Sequence, residues 1–145
     1  MFNSIYNIAA EALSANRLRI NVISSNIANA QTTRTAEGGP YKRREVVMVA
    51  TDKKREDFAS ALDEATLKGV KVAGVVADET EPRKVYDPSH PDADPTTGMV
   101  AMPNINAVTE MTNMVSASTA YKAAAEIVSV TKEMANALRI LAQRF

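Results

Sequence analysis

The chain has 145 residues, and its 17 Lys plus Arg balance 17 Asp plus Glu, so it carries no formal net charge. That length is one domain's worth and buries a real core, while the balanced charge argues against a general nucleic-acid or anionic-membrane binder, either of which needs a basic surplus. Cysteine is absent, which excludes disulfides, thiol nucleophiles and thiolate metal sites, and no apolar run is long enough to span a bilayer.

The first 31 residues hold only three charges, Glu11, Arg17 and Arg19. Hydrophobic spacing predicts a helix over roughly 3–31. Tyr6, Leu13, Ile20 and Ile27 recur at steps of seven, and Phe2, Ala9, Ile23 and Ala30 form the paired row, with Asn16 as its odd member. This is a coiled-coil seam. Ile5, Ile8, Ala12 and Val22 widen the apolar surface beyond one partner's width. The remaining positions are mostly Asn and Ser, poor helix formers, so the helix should need packing to persist. Asn16, Asn26 and Asn29 admit two readings of equal weight. One is a polar residue fixing register inside an apolar seam. The other is simple exposure or helix C-capping, the latter at Asn29 or Ala30-Gln31. The segment does not read as a signal peptide, because it lacks a basic start and Asn and Glu interrupt its apolar residues.

All five glycines and all six prolines lie between Gly38 and Pro103. Turns and short strands are therefore expected in this central stretch. Gly38-Gly39-Pro40 marks a turn before a strand at Tyr41–Ala50, with Val46 and Met48 on one face and Val47 and Val49 on the other. Lys42-Arg43-Arg44 reads as a solvated strand face balanced by Glu45 and other nearby acids. Residues 51–68 suggest a short amphipathic helix through Phe58, Leu62 and Ala65. A second strand is predicted at Val70–Ala77, where Gly74 signals a bulge or a close approach. Glu81–Tyr86 reads as an edge strand, because Pro82 cannot donate to a ladder, and Met99–Met102 as a fourth.

After Pro103, a long helix is predicted over about 106–145. Asn104 or Asn106 is placed to cap it, and Glu110 suits its first turn. Ala120, Ala124, Ile127, Thr131, Met134, Leu138, Leu141 and Phe145 recur at alternating steps of four and three. At 1.5 Å per residue the two helices measure about 43 and 60 Å, long against the ~30 Å expected of such a globule.

Asp87, His90, Asp92 and Asp94 fall within eight residues and offer donors for a metal. The prolines at 88, 91 and 95 stiffen the segment, and the spacing fits no calcium loop. A turn-rich loop whose Asp side chains bond its own backbone is the stronger reading, with His90 free to meet a neighbouring subunit. The chain lacks a G-x-S-x-G elbow and a glycine-rich phosphate loop, so nucleophilic or phosphate chemistry has little support.

Two long, charge-poor helices cannot both be satisfied by about 70 residues of turns and strands. Paired with each other they cover one stripe each, and the faces left over exceed what a monomer tolerates. Completion by other chains resolves this, and termini of that kind fold as subunits assemble. The competing reading is an intramolecular helical hairpin on an α+β domain, and periodicity alone weights the two about equally.

Ser25-Asn26-Ile27-Ala28-Asn29-Ala30-Gln31-Thr32-Thr33 resembles the N-terminal signature of flagellar rod and hook axial proteins, carried by Asn26, Ile27, Ala28, Asn29 and Thr32. Gly38-Gly39-Pro40-Tyr41, Gly69-Val70-Lys71-Val72, Asp87 through Asp94, Met102 through Asn106 with Glu110-Met111, and Ala117 through Ala123 extend the likeness over nearly the whole chain, and within the family toward proximal-rod subunits. Departures are modest. Residues 51–68 are long and charged for the family, Gly98-Met99 stands where glycine and an aromatic are expected, and Thr119-Ala120 precedes Tyr121 where Arg is frequent.

The resemblance implies an α+β fold. In it, an N-terminal helix (1–34) and a C-terminal helix (104–145) pair as an antiparallel coiled-coil-like inner assembly domain, and a β-rich outer domain spans 35–103. It implies a structural, non-enzymatic subunit of the periplasmic rod with no cofactor or metal. Tyr6, Leu13, Ile20, Ile23, Ile27, Ile127, Met134, Leu138 and Leu141 would form the assembly seam. The implied partners are other copies, neighbouring rod proteins and the flagellar type III export apparatus, with no cleaved signal, no nucleic acid and no membrane insertion. The alternatives are a soluble helical-hairpin adaptor of defined oligomeric state and a metal-dependent hydrolase using Asp87, His90 and Asp92.

Overall fold

The computed structural model describes residues 2–51 and 68–142. The helix expected through Phe58, Leu62 and Ala65 lies outside the described residues, as does Phe145. Six elements follow in chain order: helix α1 (Phe2–Ala28), strands β1 (Arg44–Thr51), β2 (Gly69–Ala77), β3 (Arg83–Tyr86) and β4 (Met99–Met102), and helix α2 (Ala107–Ala142). The fold is α+β, as read from the sequence. Among the described residues no helix is long and apolar enough to cross a membrane.

The strands do not merge into a single sheet. β1 and β2 form one antiparallel ribbon and β3 and β4 another. The first ribbon lies against α1, whereas the second packs on neither helix. In β1, Val46 and Met48 are half-buried and Val47 and Val49 face solvent, the alternation predicted for this strand. Val47 pairs with Gly74 and Met48 with Val72, leaving Ala73 as an extra residue on β2. The glycine therefore marks a bulge, and no close approach exists, since a Cβ at Gly74 would meet nothing. β1 begins at Arg44 instead of Tyr41 because the preceding residues are held elsewhere. The Tyr41 N–H donates to the Thr32 carbonyl at 3.0 Å.

α1 stops at Ala28, three residues short of the expected end. The Ala30 N–H reaches back only to the Ile27 carbonyl, and Asn29 Nδ2 donates to the Ser25 carbonyl at 2.9 Å. The Ser25 carbonyl thus accepts both the backbone N–H and the side-chain amide of Asn29, which reinforces the last turn at the helix end. Asn16 donates to the Ala12 carbonyl of its own helix at 2.9 Å, so it does not bridge the helices. α2 starts on Asn106, whose Oδ1 accepts from the Val108 and Thr109 N–H groups at 3.0 and 3.2 Å.

α1 and α2 pack against each other, with small residues at the contact. Ala9, Ile23, Ala117 and Ala124 are buried, together with Thr131. On α1, Tyr6, Leu13, Ile20 and Ile27 are half-buried, covered in part by α2 and the first ribbon. On α2 the predicted seam divides. Ala124 and Thr131 turn inward, while Ile127, Met134, Leu138 and Leu141 are exposed.

Candidate functional site

The last turn of α1, the entry to β1 and the first turns of α2 converge on one buried amide. Asn26 is fully buried. Its Nδ2 donates to the Arg44 carbonyl at 2.8 Å and to Glu110 Oε2 at 3.0 Å. Its Oδ1 accepts from the Arg44 N–H at 3.0 Å and from the Tyr41 hydroxyl at 3.2 Å. Two donors and two acceptor lone pairs are all engaged, the full capacity of an amide. Glu110 is 1% exposed, and its Oε1 accepts from Arg43 Nε at 3.0 Å. Arg43 also donates to Glu45 Oε2 at 3.0 Å. Burial pushes the Arg43 guanidinium down, but hydrogen bonds to Glu45 and Glu110 outweigh it and hold the group above its ordinary value. The guanidinium therefore stays charged.

The energetics of such a cluster are asymmetric. An intact buried ion pair adds little net stability, but removing one partner strands the other and costs about 3–5 kcal/mol. The cluster consequently specifies an arrangement more than it strengthens it. Thr32 donates to Asn29 Oδ1 at 3.1 Å, and Ser25 shares a hydrogen bond with the Tyr41 hydroxyl at 3.2 Å. Of the signature residues, Asn26, Asn29 and Thr32 are thus brought together, with Ile27 half-buried and Ala28 exposed. A cleft of about 240 Å³ beside them is lined by Arg19, Val22, Met48 and Asn113. Its carboxylates, Glu45 and Glu110, are both engaged by Arg43.

One expectation is corrected and one is extended. Arg43 does not belong to a solvated strand face, because its guanidinium turns inward to a buried carboxylate. Glu110 lies in the first turn of α2 as expected, but its carboxylate points into the junction. The sequence clue to both was a lone acid at the head of a charge-poor apolar segment.

The Asp87–Asp94 segment is a network of local turns. Asp87 accepts from the Ser89 hydroxyl at 2.6 Å and its N–H at 3.1 Å, and Asp94 accepts from the Thr96 N–H at 2.8 Å. His90 Nδ1 accepts from the Asp92 N–H at 3.1 Å. Asp92 is paired with Arg34 and accepts from the Thr33 hydroxyl at 2.8 Å, tying the loop to the stretch after α1. Each acid has a partner of its own, and among the described residues no group of three His, Cys, Asp or Glu side chains is placed to hold a metal ion.

The other distinctive surface is the outer side of α2. Val108, Met111 and Val115 are exposed near its start, at 72, 56 and 66%. Ile127, Val130, Met134, Leu138 and Leu141 form a second exposed stretch toward its end, at steps of three and four. Such spacing places these side chains along one side of a helix. Two exposed apolar stretches of this kind on one helix mark interaction surface.

A helix pair closed by a polar junction, with an apolar row left open, defines an assembling helical subunit, and comparison with known proteins bears this out. Residues 7–34 match the family described as flagella basal body rod protein. Residues 96–140 match the flagellar basal body rod FlgEFG protein C-terminal family. The chain is 41% identical to the flagellar basal-body rod protein FlgC of Borreliella burgdorferi, over 97% of each chain. It is 38% identical to the FlgC proteins of Escherichia coli O6:H1 and Bacillus subtilis, over 90% and 92% of each chain respectively. The chain belongs to the FlgC family of flagellar basal-body rod proteins. It is a structural subunit of the flagellar basal-body rod.

Proposed function

We propose that this subunit builds the proximal rod, the periplasmic drive shaft, and carries torque by burying its terminal helices against neighbouring subunits. It does so without catalysis or cofactor. The exposed apolar side of α2 carries this reading. Ile127, Met134, Leu138 and Leu141 are about half exposed although they continue or flank the Ala124–Thr131 row that is buried on α2. Their partners are further copies of the chain and other rod proteins. Tyr6, Leu13, Ile20, Ile23 and Ile27 support the seam from the α1 side. Residues 1–34 and 104–145 form the inner assembly unit and 35–103 the outer one, with the β1–β2 ribbon bracing α1. Export through the flagellar type III apparatus, with no signal peptide cleaved, delivers the chain to the periplasm.

Leu138→Asp tests this reading, because Leu138 is exposed and its replacement leaves the folded chain intact. The variant should retain helicity and stability within about 0.5 kcal/mol, yet fail to restore rods or motility to cells lacking the wild-type chain. Normal rods from this variant would contradict the proposal.

A further inference from the structure

The contact between α1 and α2 does not define its own axial register. Ala117 and Ala124 occupy equivalent positions one heptad apart on α2, both buried against α1. Sliding α2 by seven residues in one direction would put Ala124 in the Ala117 site and Thr131 in the Ala124 site, exchanging small side chains for small ones. The connecting structure holds α2 only indirectly: the β3–β4 ribbon that leads into it packs on neither helix and is tied to the stretch after α1 through Asp92. What a slide would disrupt is the polar junction. Glu110 would leave Asn26 and Arg43, and a carboxylate, a guanidinium and an amide would all lose buried partners.

We infer that the Asn26–Glu110–Arg43 junction is a register pin: it fixes the axial position of α2 on α1 and so sets how far the end of α2 projects. Counting along the antiparallel pair from Asn26 opposite Glu110 brings Phe2 opposite Met134. Residues 135–142, about 12 Å of helix, then extend past α1. Leu138 and Leu141 lie on that projection, and both are exposed. A slip of one heptad would lengthen or shorten it by about 10 Å. The pin acts through placement, so Asn26, Arg43 and Glu110 are positioning residues. The consequence for rod building rests on the function proposed above. The register itself does not, and cross-linking within one chain reads it alone.

The native chain has no cysteine, so engineered pairs report cleanly. Two heptads back from Asn26 and two forward from Glu110, Ala12 faces Ala124. In the full chain, Ala12→Cys with Ala124→Cys should form an intramolecular disulfide, while Ala12→Cys with Ala117→Cys or with Thr131→Cys, the two slipped registers, should not. Adding Asn26→Leu and Glu110→Leu should bring a slipped pair to at least roughly a tenth of the yield of the native pair. If circular dichroism shows that this background loses its helices, Asn26→Ser with Glu110→Gln takes its place with the same expectation. Cross-linking confined to Ala12 and Ala124 in a folded, junction-less background would overturn the pin. So would equal cross-linking of slipped and native pairs when the junction is intact.

Discussion

Asn26 holds both its carbonyl oxygen and its amide nitrogen in use, with Arg44 backbone on one side and Glu110 on the other. Leucine there would fill similar volume but leave Glu110 and the Arg44 backbone short of partners. Asn26→Leu should lower unfolding free energy by about 2–4 kcal/mol, read as a reduced midpoint in urea with an unchanged m-value. A loss under ~0.5 kcal/mol would show the junction to be dispensable. The loop carboxylates make a separate prediction. The Ser89 hydroxyl and N–H hold Asp87 below the ordinary carboxylate range, and the Thr96 N–H does the same for Asp94. A depressed folded value means that the caps contribute above the ordinary carboxylate pKa and are lost as pH falls through the depressed one. Carboxyl titration by NMR should therefore place both midpoints below that of free aspartate. Midpoints at the free value would contradict the caps. The junction itself was poorly legible in the sequence. Asn26 stood out in a signature, but Glu110 lies 84 residues away and is indistinguishable by local rules from an acid placed for the helix dipole. Arg43 sat inside a basic run that reads as solvated. Local patterning carries no information about which distant charges meet.

Elements were more legible, because hydrophobic period and turn chemistry are local. β4 spans the predicted residues, and Gly74 correctly signalled the bulge in β2. The failures have physical causes. α1 ends earlier than expected because Ala30 continues the apolar row in sequence, whereas its N–H reaches only the Ile27 carbonyl and the helical ladder stops there. The strands make the expected β-rich region, and within it they divide into two separate ribbons, a pairing the sequence reading leaves open. Strand patterning specifies faces, and it does not specify which strands pair. This separation has a testable consequence at Gly98. Its φ of +68° disfavours side chains, and a Cβ there would sit 2.9 Å from Tyr86 Cε2. Gly98→Ala should cost about 1–3 kcal/mol and loosen only the β3–β4 ribbon, since that ribbon packs on neither helix. Hydrogen exchange should rise at Val85 and Val100 and stay unchanged in α1. Equal loosening of α1 would mean that the two regions unfold as one.

At the scale of the whole molecule, the balance of covered and uncovered apolar surface carries the function. α1 lies between α2 and the first ribbon, and its apolar rows are largely satisfied within the chain. α2 is longer, at 36 residues against 27, and is packed along one side only. A long amphipathic helix normally buries its second apolar stripe or lacks one. Here the stripe persists, and under the proposed function neighbouring subunits are the surface that completes it. A helical-hairpin adaptor would instead close that stripe within a defined oligomer. Sedimentation velocity of the full chain across a wide concentration series, alongside Leu138→Asp, decides between them. The account predicts that the wild-type chain moves from monomer to progressively larger, open-ended species as concentration rises, while Leu138→Asp stays monomeric. A single species of fixed size at every concentration, shared by both chains, would contradict it.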